Sequence, residues 1–316
     1  MNILPFIDDM IEDFPHKKYL PSAIGYYGGK YNALHGLLSY FPDPSGITFV
    51  EPFCGSAVVA LNYNAPNNIL NDKDELLVNF LRIFLGGKFK TLLRKYPEVD
   101  DNQRKLWRAE ALKFDAFQVI VNSIVRAPFF YNWFKNMPDG ISQAVAYYLG
   151  NRNNFSSIMR PDKMDYEQPR TKPMGYRHYK HFLNFCRRRD VRIWNLDFRE
   201  VLQKVNGWHE GKTKAAFLYV DPPYLAEQGY QVSFTENDLR DLAELLKQCP
   251  HHWILSNEDS DIVRTCFAGF HAKKVRWSYT CAYNCSTKGR HELLISNRPF
   301  RKRFLEQSNT LDSFLT

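Results

Sequence analysis

Short apolar runs along this chain alternate with stretches whose apolar positions recur every three or four residues. Residues 47–50 form a β-branched and aromatic run that reads as a strand. It leads into Glu51-Pro-Phe-Cys-Gly-Ser56 and then a helix-like apolar stretch over 57–61. A second strand ends at Ile69-Leu70. After Asn71-Asp72, residues 75–85 repeat at helical spacing until Gly86-Gly87 stops them. The alternation lapses through the middle and then returns. Residues 191–194 read as a strand before Asn195-Leu-Asp-Phe198, and 217–220 as one running into Asp221-Pro-Pro-Tyr224. Thr235-Glu-Asn-Asp238 opens a helix that puts Leu239, Leu242, Ala243 and Leu246 on one face. A strand over 253–255 ends at Ser256-Asn257, and 272–279 with 292–296 read as a closing hairpin.

Strands alternating with helices predict an α/β fold, a mostly parallel sheet with helices on both faces. Ligands of such sheets sit at the carboxyl ends of the strands. Phe53, Asp72, Asp197, Asp221 and Asn257 each fall just after a predicted strand. Three carboxylates at three strand ends point to one cleft. The expected division is a catalytic domain from 1–85 and 186–300, an inserted lobe over 86–185 and a basic, polar tail over 301–316. The lobe has helical stretches at 114–125 and 142–149 and turns loop-like over 150–173. No internal repeat or low-complexity segment is present.

Composition adds one thing to this picture. The 316 residues are 44% hydrophobic, enough for one substantial core with a smaller lobe. The net charge is +8, but residues 86–190 hold 20 Lys+Arg against 10 Asp+Glu, a local +10, and the rest sums to −2. A basic middle suggests a face that meets a polyanion; a solvated basic surface without a partner stands beside it as an equal reading. No apolar run reaches 18 residues and acidic residues interrupt the first fourteen, so the expectation is a soluble, cytoplasmic protein; a monomer in solution is expected as well. Six cysteines are scattered. Cys281 and Cys285 with His291 fall one ligand short of a zinc site, so reduced thiols and no metal are expected.

The chemistry concentrates at Asp221-Pro-Pro-Tyr224. Two prolines directly after a strand leave the sheet as a stiff arm, because each fixes φ and lacks an N–H. Such an arm suits a site that holds a planar amine. Asp221 and the Pro222 carbonyl can accept from an adenine N6 amine, Pro223 stiffens the arm, and Tyr224 can stack on the ring. An activated methyl donor then needs only alignment and local dipoles. A Pro-rich turn with a capping Asp is the plainer alternative.

With this motif in view, the sequence resembles the Dam-type, or D12-class, alpha-group adenine-N6 DNA methyltransferases over about residues 23–297. Tyr26-Tyr27-Gly-Gly-Lys30 resembles the family's first motif, whose aromatic and lysine help close over the cofactor. Phe49-Val-Glu-Pro-Phe53-Cys-Gly55-Ser resembles the cofactor loop, with Phe53 and Gly55 facing the donor's methionine end. Asn71-Asp72 looks like the motif whose carboxylate holds the ribose hydroxyls, and Asp197-Phe198 like the pair at the donor's adenine. Asp221 to Tyr224 matches the catalytic motif, and Leu255-Ser-Asn257 and Arg290-His-Glu-Leu-Leu-Ile-Ser-Asn297 resemble the later motifs. The resemblance implies a Rossmann-like S-adenosylmethionine-dependent methyltransferase sheet with an inserted helical target-recognition lobe. It implies S-adenosyl-L-methionine as donor, S-adenosyl-L-homocysteine as product, and a flipped adenine in double-stranded DNA as acceptor.

Departures from the family also stand out. Ser56-Ala57 follows Gly55 where many relatives carry a further glycine, and Tyr26-Tyr27 replaces Trp or Phe with a small residue. The reading hairpin is matched loosely by Tyr148-Leu-Gly-Asn-Arg-Asn-Asn-Phe155, so GATC specificity does not transfer. Asn151 and Arg152 are candidates for base readout, Arg160 belongs to the same basic loop region, and Lys163, Arg187 and Arg188 are candidates for phosphate contact. The run 298–303 reads equally as a phosphate contact or a solvated tail. An RNA adenine or guanine N-methyltransferase and an inactive DNA-binding relative are the competing readings. Motif order opposes the first, and intact Lys30, Asp72, Asp221 and Tyr224 oppose the second.

Overall fold

The computed structural model describes residues 19–26, 28–85, 144, 147, 151, 189–208, 215–225, 234–277 and 290–303. Seven strands form one sheet: β1 Thr48–Glu51, β2 Asn67–Asn71, β3 Asp190–Trp194, β4 Ala216–Val220, β5 His252–Glu258, β6 His271–Trp277 and β7 Arg290–Ser296. Their order is β3-β2-β1-β4-β5-β7-β6. The pairs from β3 through β5 are all parallel. Strand β7 runs antiparallel to both β5 and β6, which makes the last two strands the expected hairpin.

The described helices are α1 Leu34–Leu38, preceded by a 3₁₀ turn at Lys30–Ala33, then α2 Val58–Tyr63, α3 Glu75–Leu85, α4 Phe198–Asn206, α5 Glu236–Lys247 and α6 Asp261–Cys266. They cover both faces of the sheet because successive strand residues point to opposite sides. Phe49, Leu70, Phe217, Tyr219 and Leu294 enter the core built with α1, α2 and α3. Val50, Ile69, Leu218, Val220 and Leu293 enter the core built with α4, α5 and α6. The expected Rossmann-like α/β sheet is therefore present.

Local sequence sets several of these ends. Thr235 caps α5 with a full capping box, its hydroxyl accepting from Asp238 N–H while the Asp238 carboxylate accepts from Thr235 N–H. The four apolar residues expected on its inner face are all buried. Strand β5 is longer than the expected 253–255, because Ser256, Asn257 and Glu258 continue it by pairing with β7 beyond the last residue paired with β4. Asn257 consequently lies inside the strand and buried, with its side-chain oxygen accepting from Glu258 N–H. The expectation that Asn257 follows the strand is thus corrected.

The sheet order reverses between β1 and β4, the neighbours from which the chain proceeds in opposite directions across the sheet. A crevice opens outside the carboxyl ends of strands at such a switch point. Glu51 closes β1 there, and Asp221 follows β4.

The inserted lobe and the tail of the expected division fall largely outside the described residues. Within 86–185, Ala144, Tyr147 and Asn151 are described, all buried, with Ala144 and Tyr147 in the core beside α3. Cys54, Cys249 and Cys266 are free and buried. Cys186, Cys281 and Cys285 lie outside the described residues. No described helix is long and apolar enough to cross a membrane.

Candidate active site

The strand β4 is buried along its whole length and delivers Asp221 to the switch point. One oxygen of Asp221 is anchored twice. Lys30 Nζ lies 2.9 Å from Asp221 Oδ1, and Ser256 Oγ donates to the same oxygen at 2.7 Å. Ser256 in turn shares a hydrogen bond of 2.8 Å with the Tyr219 hydroxyl. No hydrogen bond among the described residues uses Oδ2, and the Asp221 side chain is 18% exposed. The carboxylate is therefore fixed at one end and open to the crevice at the other.

Tyr224 turns its hydroxyl inward. It donates to Glu292 Oε1 at 2.6 Å and accepts from Lys30 Nζ at 3.0 Å. Glu292, from β7, also stands 3.6 Å from Lys30 Nζ. One cation is thus shared by two carboxylates in a buried cluster. Burial pushes the Asp221 carboxyl up, Lys30 pulls it down, Glu292 pushes it up again, and the hydrogen bond from Ser256 lowers it; the balance lies above the ordinary value. Burial likewise drives Glu51 well up, against the hydrogen bond it accepts from Ala60 N–H at 3.3 Å.

A second set of residues shapes the loop after β1. Gly55 has φ of 47°, and a Cβ there would lie 2.6 Å from the Tyr26 ring. Only glycine permits this packing without displacing the ring. Ala57 also adopts a left-handed conformation, with φ of 57° and ψ of 22°, at the position before α2 where the family pattern offers another glycine. Gly55 N–H donates to Asp72 Oδ2 at 3.0 Å, and Asp74 N–H donates to Asp72 Oδ1 at 3.0 Å. Burial raises the Asp72 carboxyl despite these bonds.

Asp74 caps α3 by accepting from Leu76 and Leu77 N–H groups at 2.9 and 3.3 Å. Burial and the charge of Asp72 push its carboxyl up to about 7.

Asn71 stitches three strand ends together. Its amide donates to the carbonyls of Pro52 and Leu196, and its oxygen accepts from Leu196 N–H. Asn195 repeats the device by donating to the carbonyls of Asp72 and Lys73.

Asp197 caps α4 and accepts from Arg199 N–H at 3.0 Å and Lys73 Nζ at 2.9 Å. Burial pushes its carboxyl up, but hydrogen bonds from Lys73 and Arg199 outweigh that and leave it low. Phe53, Phe198 and Phe234 meet beside it, with ring centroids 5.3 to 6.0 Å apart. The predicted residues thus form two groups: Lys30, Asp221 and Tyr224, and Tyr26, Phe53, Gly55, Asp72, Asp197 and Phe198. Pro222 is buried and Pro223 half-buried between them in sequence.

The expected nucleic-acid contacts fare differently. Asn151 is buried, 1% exposed, and its amide donates to the Gly25 carbonyl at 2.8 Å, beside the first motif. Tyr27, Arg152, Arg160, Lys163, Arg187 and Arg188 lie outside the described residues.

Sequence reasoning missed Glu292 and Ser256 as members of the cluster, and Asn195 and Phe234 at the strand ends. A signal for Glu292 existed. It is a lone carboxylate in an inward position of the run Glu-Leu-Leu-Ile, where burial demands a partner. Nothing in sequence said which lysine would supply it.

The residues suit a cationic adenosyl donor. The described cluster has two carboxylates, Asp221 and Glu292, for one lysine, so a positive group placed beside them is favoured. The open Asp221 oxygen and the aromatic group at Phe53 supply a polar and a flat apolar surface. Among the described residues, no group of three or more His, Cys, Asp or Glu is placed to hold a metal ion.

Comparison with known proteins bears on the same motifs. The family model described as D12 class N6 adenine-specific DNA methyltransferase matches residues 26–281. The chain is similar to the modification methylase StsI of Streptococcus sanguinis, with 27% identity over 227 residues, 67% of this chain and 30% of that protein. It is also similar to the DNA N-6-adenine-methyltransferase of Escherichia phage P1, with 25% identity over 166 residues, 52% of this chain and 19% of that protein. These matches span less than a third of either relative. Among solved structures, an rRNA methyltransferase, aviRa from Streptomyces viridochromogenes, aligns at 13% identity and a TM-score of 0.40, covering 88% of this chain and 89% of that one.

Proposed function

Because the chain belongs to the D12 class N6 adenine-specific DNA methyltransferase family, we propose that it transfers a methyl group from S-adenosyl-L-methionine to the N6 amine of an adenine flipped out of double-stranded DNA. The observation that carries this reading is the asymmetric anchoring of Asp221. Lys30 and Ser256 hold Oδ1, and Oδ2 faces the crevice. An N6–H donated to Oδ2 meets an acceptor whose plane is already set, so little reorganisation accompanies binding.

S-adenosyl-L-methionine supplies an activated methyl group when bound. Phe53, Gly55, Asp72, Asp197 and Phe198 line its proposed place, with Tyr26 closing over Gly55. The chain's own residues do the rest. Asp221 and the Pro222 carbonyl accept from the amine and turn the nitrogen lone pair out of conjugation. Tyr224 offers a ring face to the base. Asp221, whose carboxyl is raised, can accept the proton that the amine releases.

The basic segment over 86–190, with a net charge of +10, supports DNA as the partner. Arg152 is the proposed base-reading candidate, Arg160 belongs to the same basic region, and Lys163, Arg187 and Arg188 are the proposed phosphate contacts. A cytoplasmic setting for the reaction belongs to the same proposal.

The test is methyl transfer from labelled S-adenosyl-L-methionine to unmethylated duplex DNA, to single-stranded DNA and to structured RNA, with nucleoside digestion and mass spectrometry of the products. N6-methyladenine in the duplex is the expected product. Labelled RNA with unlabelled DNA would turn the reading to the RNA enzyme, and no donor binding at all would defeat it.

A further inference from the structure

Strand β7 carries Glu292 on the same face as Leu294, two residues on, in an otherwise apolar alternation. The residue is 1% exposed and lies opposite Glu258 of β5 and Val275 of β6 in the strand register. Neither neighbour compensates a carboxylate. For stability alone an apolar residue of similar volume would serve as well or better there. What Glu292 does reach is the pair of residues at the proposed acceptor site, the Tyr224 hydroxyl at 2.6 Å and the Lys30 ammonium at 3.6 Å. Lys30 then bonds Asp221 Oδ1. The path from β7 to the catalytic carboxylate therefore has two links.

We infer that Glu292 is a positioning residue for methyl transfer: its carboxylate holds the Tyr224 hydroxyl and the Lys30 ammonium together, and so fixes the stacking ring relative to Asp221. This rests on the reading of the site given above. A tyrosine ring held only by packing could rotate about its side-chain torsions. A hydroxyl fixed between a carboxylate and an ammonium pins the ring's long axis, and the preference of a phenolic O–H for the ring plane then favours one rotation about it. The same carboxylate keeps Lys30 placed between Tyr224 and Asp221.

The groups facing Asp221 are Lys30 from the 3₁₀ turn, Glu292 from β7, Tyr219 from β4, and Glu51 at the end of β1, which interacts at longer range. Among them, the charge of Glu292 raises the Asp221 carboxyl. Its removal should move that carboxyl down, an effect that loss of packing alone does not produce.

The experiment compares the full-length protein with Glu292→Gln, which is nearly isosteric, and with Tyr224→Phe and the double variant. Turnover is measured on unmethylated duplex DNA across pH, and S-adenosyl-L-homocysteine binding by calorimetry. For Glu292→Gln, kcat should fall about tenfold or more while product affinity stays within about threefold, as expected for loss of a charge-assisted hydrogen bond in the reacting arrangement. The acid limb of its kcat profile should move to lower pH. Tyr224→Phe should lose turnover without moving that limb, and the double variant should be no slower than the slower single one.

Wild-type turnover with an unshifted profile in Glu292→Gln would overturn the inference alone, as would full additivity in the double variant. If Glu292→Gln does not fold, Tyr224→Phe decides: unchanged turnover there overturns the inference. An inactive wild-type protein removes both the functional reading and the inference.

Discussion

Lys30 Nζ lies 2.9 Å from Asp221 Oδ1, with the lysine side chain 4% exposed. The charge of the Gly-Gly-Lys motif is thereby committed to the interior, where it is the counter-charge of the candidate catalytic carboxylate. Lys30→Met should leave Asp221 and Glu292 buried without the lysine they share. The expected loss is about 3–5 kcal/mol of unfolding free energy, as for other broken buried ion pairs. It should be smaller at acid pH. A buried carboxyl with a raised pKa binds its proton more tightly in the folded state, so protonation relieves the defect. Urea denaturation at pH 5 and pH 8 measures both; equal losses would show that the carboxylates are not its source.

Ser256→Ala removes one of the two anchors on Asp221 Oδ1 and leaves the Tyr219 hydroxyl without that partner. Turnover should fall about tenfold, corresponding to about 1.4 kcal/mol of barrier, with S-adenosyl-L-homocysteine affinity unchanged. Steady-state kinetics beside calorimetry tests this, and a loss confined to product affinity would move Ser256 out of the acceptor site.

Asp74 offers a cleaner titration. Its carboxyl is pushed up to about 7 by burial and the neighbouring Asp72. Between the ordinary carboxylate value and about 7, the folded state holds a proton that the unfolded chain has released. Stability should therefore fall as pH rises through that window, by up to about 1.4 kcal/mol per pH unit from this one group. Asp74→Asn keeps an oxygen for the Leu76 and Leu77 N–H groups. It should flatten the dependence and raise stability at pH 8. Unfolding free energies at intervals from pH 4 to pH 8 are the measurement.

The left-handed Ala57 costs roughly 1 kcal/mol that glycine would not incur. Ala57→Gly should raise the urea midpoint by an equivalent of about 0.5–1 kcal/mol, after the entropy of the freer unfolded chain is included. Gly55→Ala should act in the opposite direction. It adds a Cβ 2.6 Å from the Tyr26 ring, and both stability and donor affinity should fall. Equal effects of the two substitutions would contradict the geometry of the loop.

These predictions draw on residues of unequal visibility in the sequence. The central strands β1, β4 and β5 are plain because they are buried on two faces and so read as apolar runs, Ala-Phe-Leu-Tyr-Val in β4 being the clearest. The capping box of α5 was equally local, and it formed as read. Lys30, Asp72 and Asp221 were visible because their types are unusual after strands or glycines. Their partners were not. Asn71 and Asn195 act on carbonyls that only the folded sheet brings near, and Glu292 of β7 meets Tyr224, which follows β4, across the intervening β5 and 68 residues of sequence. Asn151 shows the converse. Its polar neighbours in sequence suggested a reading loop, whereas its amide lies buried against Gly25.

The pairing of β2 with β3 has a further consequence for how such a protein can be altered. Asn67 stands opposite Asp190, and Arg82 near the end of α3 donates to the Ile193 carbonyl at 3.0 and 3.2 Å. The two ends of the long excursion between α3 and β3 are therefore clamped by the catalytic body itself. Closing a flexible loop between fixed points becomes harder only logarithmically, by about 0.6 kcal/mol per doubling of its length. Material can be added between those clamps while the sheet keeps its register, provided Ala144 and Tyr147 stay in the core beside α3 and Asn151 keeps its bond to Gly25. The seams at Leu85 and Asp190 are thus natural joints at which an added segment leaves the register of β2 and β3 intact.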